Sequence, residues 1–322
     1  MTDTTVLVIG AGVVGLTSAY LLHDAGYKVT IYTKDYTQDT TSAVAGAFWE
    51  PYLVQPIEKA HRWSKFTYDY MNSNILPIRY SGVTEITVNS YQNPASPDPW
   101  WMPLAKNFRR LGKGEISDIY TSGWEYDSLL FDTTVYLPWL VSQLNKKGIE
   151  MKQLEVKSFE DVLPDFDLVV NCTGLGAKAL CNDDKVYPIR GQVLRIAPNG
   201  FDKVVQDEND DSLVYVVPRL NDIIIGGTGQ VNDWNIQPDP QDTIRITNKL
   251  KKILPDFADM EILEERVGLR PARSEVRLET EQISGKTIIH NYGHGGAGYT
   301  LSWGCASDVV DLARECSKGL EQ

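Results

Sequence analysis

The 322-residue sequence is short of cysteine and histidine, with four of each. The cysteines are Cys172, Cys181, Cys305 and Cys316; they form no Cys-x-x-Cys pair, and the histidines do not cluster with them. Because a structural zinc site needs such ligands at close spacing, we expect no metal. A chain of this length buries enough surface to fold without disulfides, so free thiols in a reducing compartment are expected.

The sequence also lacks an excess of basic residues and a long apolar run. Lys and Arg number 31 against 43 Asp and Glu, a formal net charge of −12, which disfavours nucleic acid and anionic membranes as partners. We expect no membrane span and no signal peptide. The chain does not end in the peroxisomal address Ser-Lys-Leu, so a cytoplasmic protein is expected; a peroxisomal location stays open if the end is trimmed.

The first 35 residues have a strand–turn–helix–strand pattern. The turn reads Gly10-Ala11-Gly12-Val13-Val14-Gly15. Gly10 allows a sharp turn, Gly12 lets a pyrophosphate approach the backbone, and Gly15 lets the helix pack on the strand. The helix N-terminus then offers N–H groups to the phosphates. The pattern predicts a dinucleotide site but leaves NAD and FAD open, because the acid expected after the second strand is displaced to Asp35, behind Lys34.

Further along, two more buried strands end in glycine turns, after Asn171 and after His290, and a helix is predicted over 301–316. Short strands fill the region between them, with separate strands predicted at Glu264–Arg270 and Ser274–Leu278. This order predicts an α/β fold. A Rossmann-like cofactor domain is built from residues 1–50, 137–185 and 286–322, and a β-rich (α+β) domain for the substrate is inserted as residues 51–136 and 186–285.

Seven short stretches are specific enough to compare with known families. They are residues 8–16 (VIGAGVVGL), 49–52 (WEPY), 171–174 (NCTG), 190–192 (RGQ), 215–218 (YVVP), 268–271 (GLRP) and 290–296 (HNYGHGG). In this order they resemble the D-amino-acid oxidase family of flavoenzymes, which includes D-aspartate oxidase. The glycine turn alone is common to many dinucleotide proteins, whereas the second and the last two pieces are far more specific.

The resemblance implies a tightly bound, non-covalent FAD. The positions that match the family's FAD contacts are Gly10, Ala11, Gly12, Val13, Val14, Gly15, Lys34, Asp35, Thr41, Ser42, Gly46, Val156, Thr173, Gly295, Gly298, Tyr299 and Thr300. Lys34 and Asp35 resemble an Arg-Asp pair near the adenosine end, and the residues from 295 to 300 fall at the turn that faces the flavin.

The resemblance also implies oxidative deamination of a D-amino acid to a 2-keto acid, ammonia and hydrogen peroxide, with O₂ as the acceptor. Arg270 matches the arginine that binds the substrate carboxylate, an interaction that a guanidinium makes with two prongs. Tyr215 matches a tyrosine that binds the same carboxylate, and the Gly296 carbonyl accepts from the substrate amine. Arg273 and Arg277 are assigned structural roles. A homodimer is frequent in the family.

The sequence departs from the family at the second active-site tyrosine, whose two family positions are here Asp211 and Gly229. D-aspartate oxidases have arginine at the latter, so acidic substrates are disfavoured unless Arg219 folds over the site. The stretch Asp207–Ser212 is short for a lid, which predicts an open site. We expect neutral D-amino acids as substrates; Glu50, placed at the substrate, and the acids of the lid favour basic ones as a hypothesis from charge.

Three alternatives remain from the residues alone. The first is an amine oxidase of the glycine or sarcosine type, which shares the N-terminal fingerprint. The second is a D-aspartate oxidase. The third is a flavin-binding module without catalytic activity, to which the missing second tyrosine gives weight.

Overall fold

The computed structural model describes residues 3–93, 95–207, 214–257 and 260–320. The helices are α1 (Val13–Asp24), α2 (Thr41–Val44), α3 (Ile57–Tyr70), α4 (Thr133–Lys146), α5 (Ala177–Leu180), α6 (Pro240–Ile253) and α7 (Gly298–Leu320). The strands are β1 (Thr5–Ile9), β2 (Lys28–Thr33), β3 (Val83–Gln92), β4 (Lys106–Arg110), β5 (Ser122–Phe131), β6 (Glu150–Gln153), β7 (Leu168–Asn171), β8 (Tyr187–Ile196), β9 (Val204–Asp207), β10 (Val214–Pro218), β11 (Ile223–Gly226), β12 (Gln230–Val231), β13 (Ile262–Ile283) and β14 (Lys286–His294).

Five strands form a parallel layer in the order β14-β7-β1-β2-β6. Successive side chains of β1 point to opposite faces: Val6 and Val8 pack into the main core, which also holds apolar residues of α1 and α7, whereas Leu7 and Ile9 pack with Phe159 on the other face. A strand that is buried on both faces needs apolar residues at successive positions, which explains the apolar run of β1. The predicted α/β, Rossmann-like fold is confirmed.

The remaining strands form a mostly antiparallel layer in the order β4-β5-β3-β9-β10-β11-β8-β13, with β12 paired to β8. The two layers are one continuous sheet because β13 bridges them. Its first half pairs with β8 and its second half pairs with β14. The cofactor-type strands and the β-rich strands therefore meet at the middle of β13.

The prediction of two strands at Glu264–Arg270 and Ser274–Leu278 was wrong, because β13 runs through both. Pro271 lies inside β13 although a proline cannot donate to a strand ladder. In the structure it lies opposite Pro188 of β8, and an irregularity between Ala272 and Arg277 absorbs the change of partner strand. The predicted C-terminal helix is confirmed but longer, beginning at Gly298.

No strand is predicted from the sequence between residues 104 and 136, where β4 and β5 lie. Glu125 and Asp127 alternate with the buried side chains of Trp124 and Tyr126 in β5. Each has a cross-strand partner: Arg109 on β4 donates to Glu125 at 2.9 Å, and Thr87 on β3 donates to Asp127 at 3.3 Å. The alternation is that of a half-buried strand, and pairing with the strands on both sides satisfies its polar face. Within the described residues, no helix combines the length and apolar character that crossing a membrane requires.

Candidate active site

The first glycine turn joins β1 to α1 and leaves no room for a side chain at Gly10 or Gly15. Gly10 has a φ of +112°, and a Cβ there would lie 2.5 Å from the carbonyl oxygen of Cys172. A Cβ on Gly15 would lie 2.0 Å from the carbonyl oxygen of Gly10. The N–H of Val13, at the start of α1, donates to Ser42 Oγ at 3.1 Å. Glycine is required here because a helix N-terminus packs against two strand ends, which is the geometry of a phosphate cradle.

A cavity of about 1140 Å³ extends from this turn across the sheet. The residues predicted from the sequence that line it are Gly10, Ala11, Gly12, Val13, Val14, Gly15, Lys34, Asp35, Thr41, Ser42, Gly46, Glu50, Val156, Thr173, Tyr215, Arg270, Gly295, Gly296, Gly298 and Tyr299. Lys34 also pairs with Glu155 at 3.2 Å. Predicted cofactor and substrate positions share one cavity, and its glycine-lined wall fits a dinucleotide.

The second glycine turn leads from β14 into α7, which begins at Gly298. It is tied to the first half of the chain by two hydroxyl groups. Tyr299 donates to the carbonyl oxygen of Ser42 at 2.8 Å. Thr300 donates to the carbonyl oxygen of Glu50 at 2.8 Å and lies 3.0 Å from the Glu50 amide nitrogen. Thr300, predicted as a cofactor contact, therefore lies behind the wall and holds Glu50 in place.

Burial keeps the titratable groups of this turn uncharged. Burial, and then the nearby Tyr136, raise the pKa of Tyr299 well above its usual value. Burial lowers the pKa of His294, which also lines the cavity, to about 4. Both groups are neutral near pH 7, so the charge of this part of the cavity comes from other residues.

Arg270 places a guanidinium in the cavity wall. Its Nη1 donates to the carbonyl oxygen of Thr228 at 2.9 Å. The group lies over Gly191 of β8, where a Cβ would be 2.3 Å from Nη1. Among the ion pairs of the described residues, none includes Arg270. The backbone therefore positions this cation while leaving it without a carboxylate partner from the described part of the chain.

Tyr215 lies on β10 beside the same part of the cavity. It is paired with Gly226 on β11 and with Gln206 on β9. A Cβ on Gly226 would lie 2.0 Å from Tyr215 Cζ and 2.4 Å from its hydroxyl oxygen. A Cβ on Gly46 would lie 3.2 Å from Tyr215 Cε2, so the ring is in contact with glycine on two elements. The Tyr215 ring can occupy this position because Gly226 and Gly46 have no side chains.

Gly296 brings the second glycine turn against Arg270. A Cβ at Gly296 would lie 3.7 Å from Arg270 Cδ and 3.2 Å from Tyr52 Cδ1. Arg270 of β13, Gly296 of the second glycine turn and Tyr52 of the loop before α3 therefore lie next to one another. The predicted carboxylate ligand and the predicted amine acceptor are neighbours, as the two groups of an α-amino acid require.

Glu50 lines the cavity and is nevertheless buried, with 7% of its surface exposed. Its Oε2 accepts from the Tyr126 hydroxyl at 2.7 Å and from Gln206 Nε2 at 2.8 Å. These contacts fix the carboxylate on the side of the cavity formed by β5 and β9.

Three other arginines are engaged elsewhere. Arg273 pairs with Asp183 at 3.0 Å, and Arg277 pairs with two glutamates of its own strand. Arg219 is buried and pairs with Asp222, and it also donates to a threonine hydroxyl. Folding Arg219 over the site would break this buried pair, so the arrangement argues against that role.

Of the two positions at which the family has its second active-site tyrosine, the structure describes Gly229 and not Asp211. A Cβ on Gly229 would meet nothing within 4 Å. Asp211 lies outside the described residues, as does the stretch Asp207–Ser212 from residue 208 onward. Sequence reasoning missed Thr228 and Gln206, which contact Arg270 and Glu50. The glycine pair Gly226-Gly227 ends a predicted strand just before Thr228 and is a sequence signal for it. No sequence signal identifies Gln206.

Comparison with known proteins agrees with the geometry. The family model for FAD dependent oxidoreductases (DAO) matches residues 5–312. A D-amino-acid oxidase of Dictyostelium discoideum is 40% identical, with 95% of this chain and 90% of the relative covered. A D-amino-acid oxidase of Rubrobacter xylanophilus is 37% identical, with 95% of each chain covered.

Among solved structures, the chain is similar to glycine oxidase from Bacillus cereus, with a TM-score of 0.79 over 97% of this chain and 95% of the other. At 18% identity this likeness concerns the fold alone. The family match, by contrast, covers most of the chain, and FAD is the cofactor that the cavity fits. The chain belongs to the DAO family of FAD-dependent oxidoreductases.

Proposed function

We propose that the protein catalyses the oxidative deamination of D-amino acids with neutral side chains, giving a 2-keto acid, ammonia and hydrogen peroxide. The similarity to D-amino-acid oxidases at 37–40% identity supports this reaction. Bound FAD would supply the acceptor for the hydrogen on the substrate Cα and the route of the electrons to O₂. The first glycine turn and the start of α1 would hold its phosphates, and the second glycine turn would face the flavin.

The observation that supports the proposal most strongly is that Arg270 has no carboxylate partner among the described residues. It is a cation in the cavity wall that pairs with no carboxylate among the described residues, whereas Arg273 and Arg277 each have acidic partners. Only part of its guanidinium is occupied by the Thr228 carbonyl. The remaining N–H groups can bind a substrate carboxylate with two prongs, which fixes both charge and orientation.

Tyr215 and Gly296 complete the orientation of the substrate. The Tyr215 hydroxyl donates to the same carboxylate, and the Gly296 carbonyl accepts from the amino group. When the carboxylate and the amino group are both bound, the direction of the Cα–H bond is fixed. Such positioning is a large part of the barrier reduction available to a reaction of this type.

The alternatives predict different substrates. A D-aspartate oxidase needs a second cation for the side-chain carboxylate, but Gly229 has no side chain and Arg219 is held by Asp222. A glycine oxidase shares the fold, so the fold does not exclude an amine oxidase of that type. A non-catalytic module has no need of a carboxylate ligand such as Arg270.

The test is an anaerobic titration of the purified yellow protein. Bleaching of the flavin by D-alanine and not by L-alanine is the expected result. Stronger bleaching by glycine or sarcosine than by D-alanine would identify an amine oxidase of that type. A flavin that no amino acid bleaches, across a panel that includes D-proline, D-lysine and D-arginine, would contradict an oxidase function.

The domain division belongs to the same proposal. The parallel strands fall within residues 1–50, 137–185 and 286–322, and β3, β4, β5 and β8 to β13 fall within residues 51–136 and 186–285. The cavity between them is where we place the FAD and the substrate. A homodimer, expected from the family resemblance, is tested by light scattering of the purified holoenzyme.

A further inference from the structure

The residue that follows β2 is a lysine where a dinucleotide site has an acid. In folds of this type, a carboxylate at the end of the second strand binds the ribose hydroxyl groups of the dinucleotide. Strand β2 ends at Thr33, and Lys34 comes next. An ammonium group donates hydrogen bonds but has no acceptor for a hydroxyl, so Lys34 cannot replace the carboxylate. Two acids beside this strand end, Asp35 and Glu155, line the cavity.

Glu155 reaches the end of β2 from the neighbouring strand. Strand β6 runs parallel to β2, with Gln153 opposite Thr33. The N–H of Leu154 donates to the carbonyl oxygen of Thr33 at 2.8 Å, so the pairing continues one residue past the end of β6. Because the carboxyl ends of parallel strands lie at the same edge of a sheet, the segments that follow β2 and β6 leave the sheet side by side. Glu155 thereby comes to the end of β2 from a distant part of the sequence.

An ion pair holds the Glu155 carboxylate at the cavity, with Lys34 Nζ 3.2 Å from Glu155 Oε1. The carbonyl oxygen of Lys34 accepts from Gln153 Nε2 at 3.2 Å, so the backbone of Lys34 is attached to the β6 side as well. Both side chains of the pair are exposed, and an exposed ion pair contributes little to stability. A carboxylate has about four acceptor sites, so contact with one ammonium leaves room for hydroxyl groups. The lysine therefore brings to the end of β2 the carboxylate that its own position lacks.

We propose that Glu155, positioned by Lys34, binds the ribose hydroxyl groups in the adenosine half of FAD. Along the edge of the sheet, the phosphate cradle follows β1, Lys34 follows β2 and Glu155 follows β6, and these three strands are neighbours in that order. The phosphate and the ribose follow one another in the same order in the adenosine half of FAD. The ribose has two hydroxyl groups, so a contact of Asp35 with one leaves the other for Glu155.

The test uses the holoenzyme and two nucleotides that compete with FAD for the adenosine position. ADP has both ribose hydroxyl groups, whereas 2′,3′-dideoxy-ADP has neither, and the FAD that each displaces is measured by its fluorescence. Glu155→Ala removes the carboxylate, and Lys34→Met removes the ammonium but keeps an unbranched side chain. Glu150→Ala is the matched control, because Glu150 begins the same strand and forms an exposed pair of the same kind, with Lys152 at 3.1 Å.

The expected result is a preference of the wild type for ADP over 2′,3′-dideoxy-ADP that falls about 10-fold in Glu155→Ala, falls in part in Lys34→Met and stays in Glu150→Ala. A hydrogen bond to a charged acceptor has about this effect when the acceptor is partly exposed, as Glu155 is. Dilution of the holoenzyme should show a matching rise of about 10-fold in the Kd of FAD for Glu155→Ala and none for Glu150→Ala.

An unchanged preference in Glu155→Ala, or a wild type that does not distinguish the two nucleotides, would overturn the role of Glu155. An unchanged preference in Lys34→Met would show that the lysine does not position the carboxylate. These measurements use no amino acid, so their outcome is separate from that of the proposed D-amino-acid oxidation.

Discussion

The ring of Tyr215 rests on a glycine, and replacing that glycine would move the ring without altering it chemically. In Gly226→Ala, the new Cβ would lie 2.0 Å from Tyr215 Cζ and 2.4 Å from its hydroxyl oxygen. The backbone has little freedom to retreat, because β11 is paired on both sides, with β10 and with β8. The tyrosine ring is therefore the part that moves.

The size of the effect follows from what Tyr215 contributes. In the proposed role of Tyr215, a displaced hydroxyl would no longer donate to the substrate carboxylate, and a hydrogen bond to a charged group contributes about 1.5–3 kcal/mol. That corresponds to a loss of about 10- to 150-fold in kcat/KM for D-alanine. Overpacking by one methyl also costs about 1–3 kcal/mol of folding free energy, so we expect a lower melting temperature with the protein still folded.

The assay is steady-state oxidation of D-alanine, with flavin content measured in each variant. Gly229→Ala is the matched control, since a Cβ there meets nothing within 4 Å. Tyr215→Phe removes only the hydroxyl, and adding it to Gly226→Ala should cause little further loss, because the two changes remove the same contact. Wild-type kcat/KM in folded, flavin-loaded Gly226→Ala would refute the reasoning.

Three further predictions concern other parts of the molecule. Arg270→Gln should raise KM for D-alanine by about 100-fold, with little change in melting temperature. Arg273→Gln loses the ion pair with Asp183, so it should lower the melting temperature and leave KM near the wild-type value. Gly15→Ala should yield protein depleted of flavin, seen in the ratio of visible to ultraviolet absorbance, because its Cβ would push α1 off β1; normal flavin content would contradict the cradle. The pKa of His294 is lowered to about 4 from 6.5, so its contribution to stability is complete above pH 6.5 and is lost as pH falls toward 4. The unfolding free energy of the wild type should therefore drop by about 2 kcal/mol from pH 7 to pH 5 through this group, and His294→Asn should reduce that slope in urea titrations at the two pH values.

The part of the fold that the sequence predicts is the part that local patterns specify. The parallel strands are apolar because both faces are buried, and Gly10 and Gly15 are glycine because a carbonyl oxygen occupies the space of a side chain. Such constraints act within a few residues and can be read from one sequence. The pairing of β5 is different: Arg109 of β4 and Thr87 of β3 meet its polar residues Glu125 and Asp127, and no local pattern specifies those partners.

The candidate site shows the same limit more sharply. Arg270 and Arg273 are the same residue type, three positions apart on one strand, and composition cannot tell them apart. Only the resemblance of residues 268–271 to a known family singled out the first. The structure distinguishes them physically: Asp183 pairs with Arg273, whereas Gly191 opens a space that lets Arg270 turn into the cavity. The surroundings that distinguish Arg270, the proposed substrate ligand, come from Gly191 on β8 and from Thr228 after β11, both far from Arg270 in the chain.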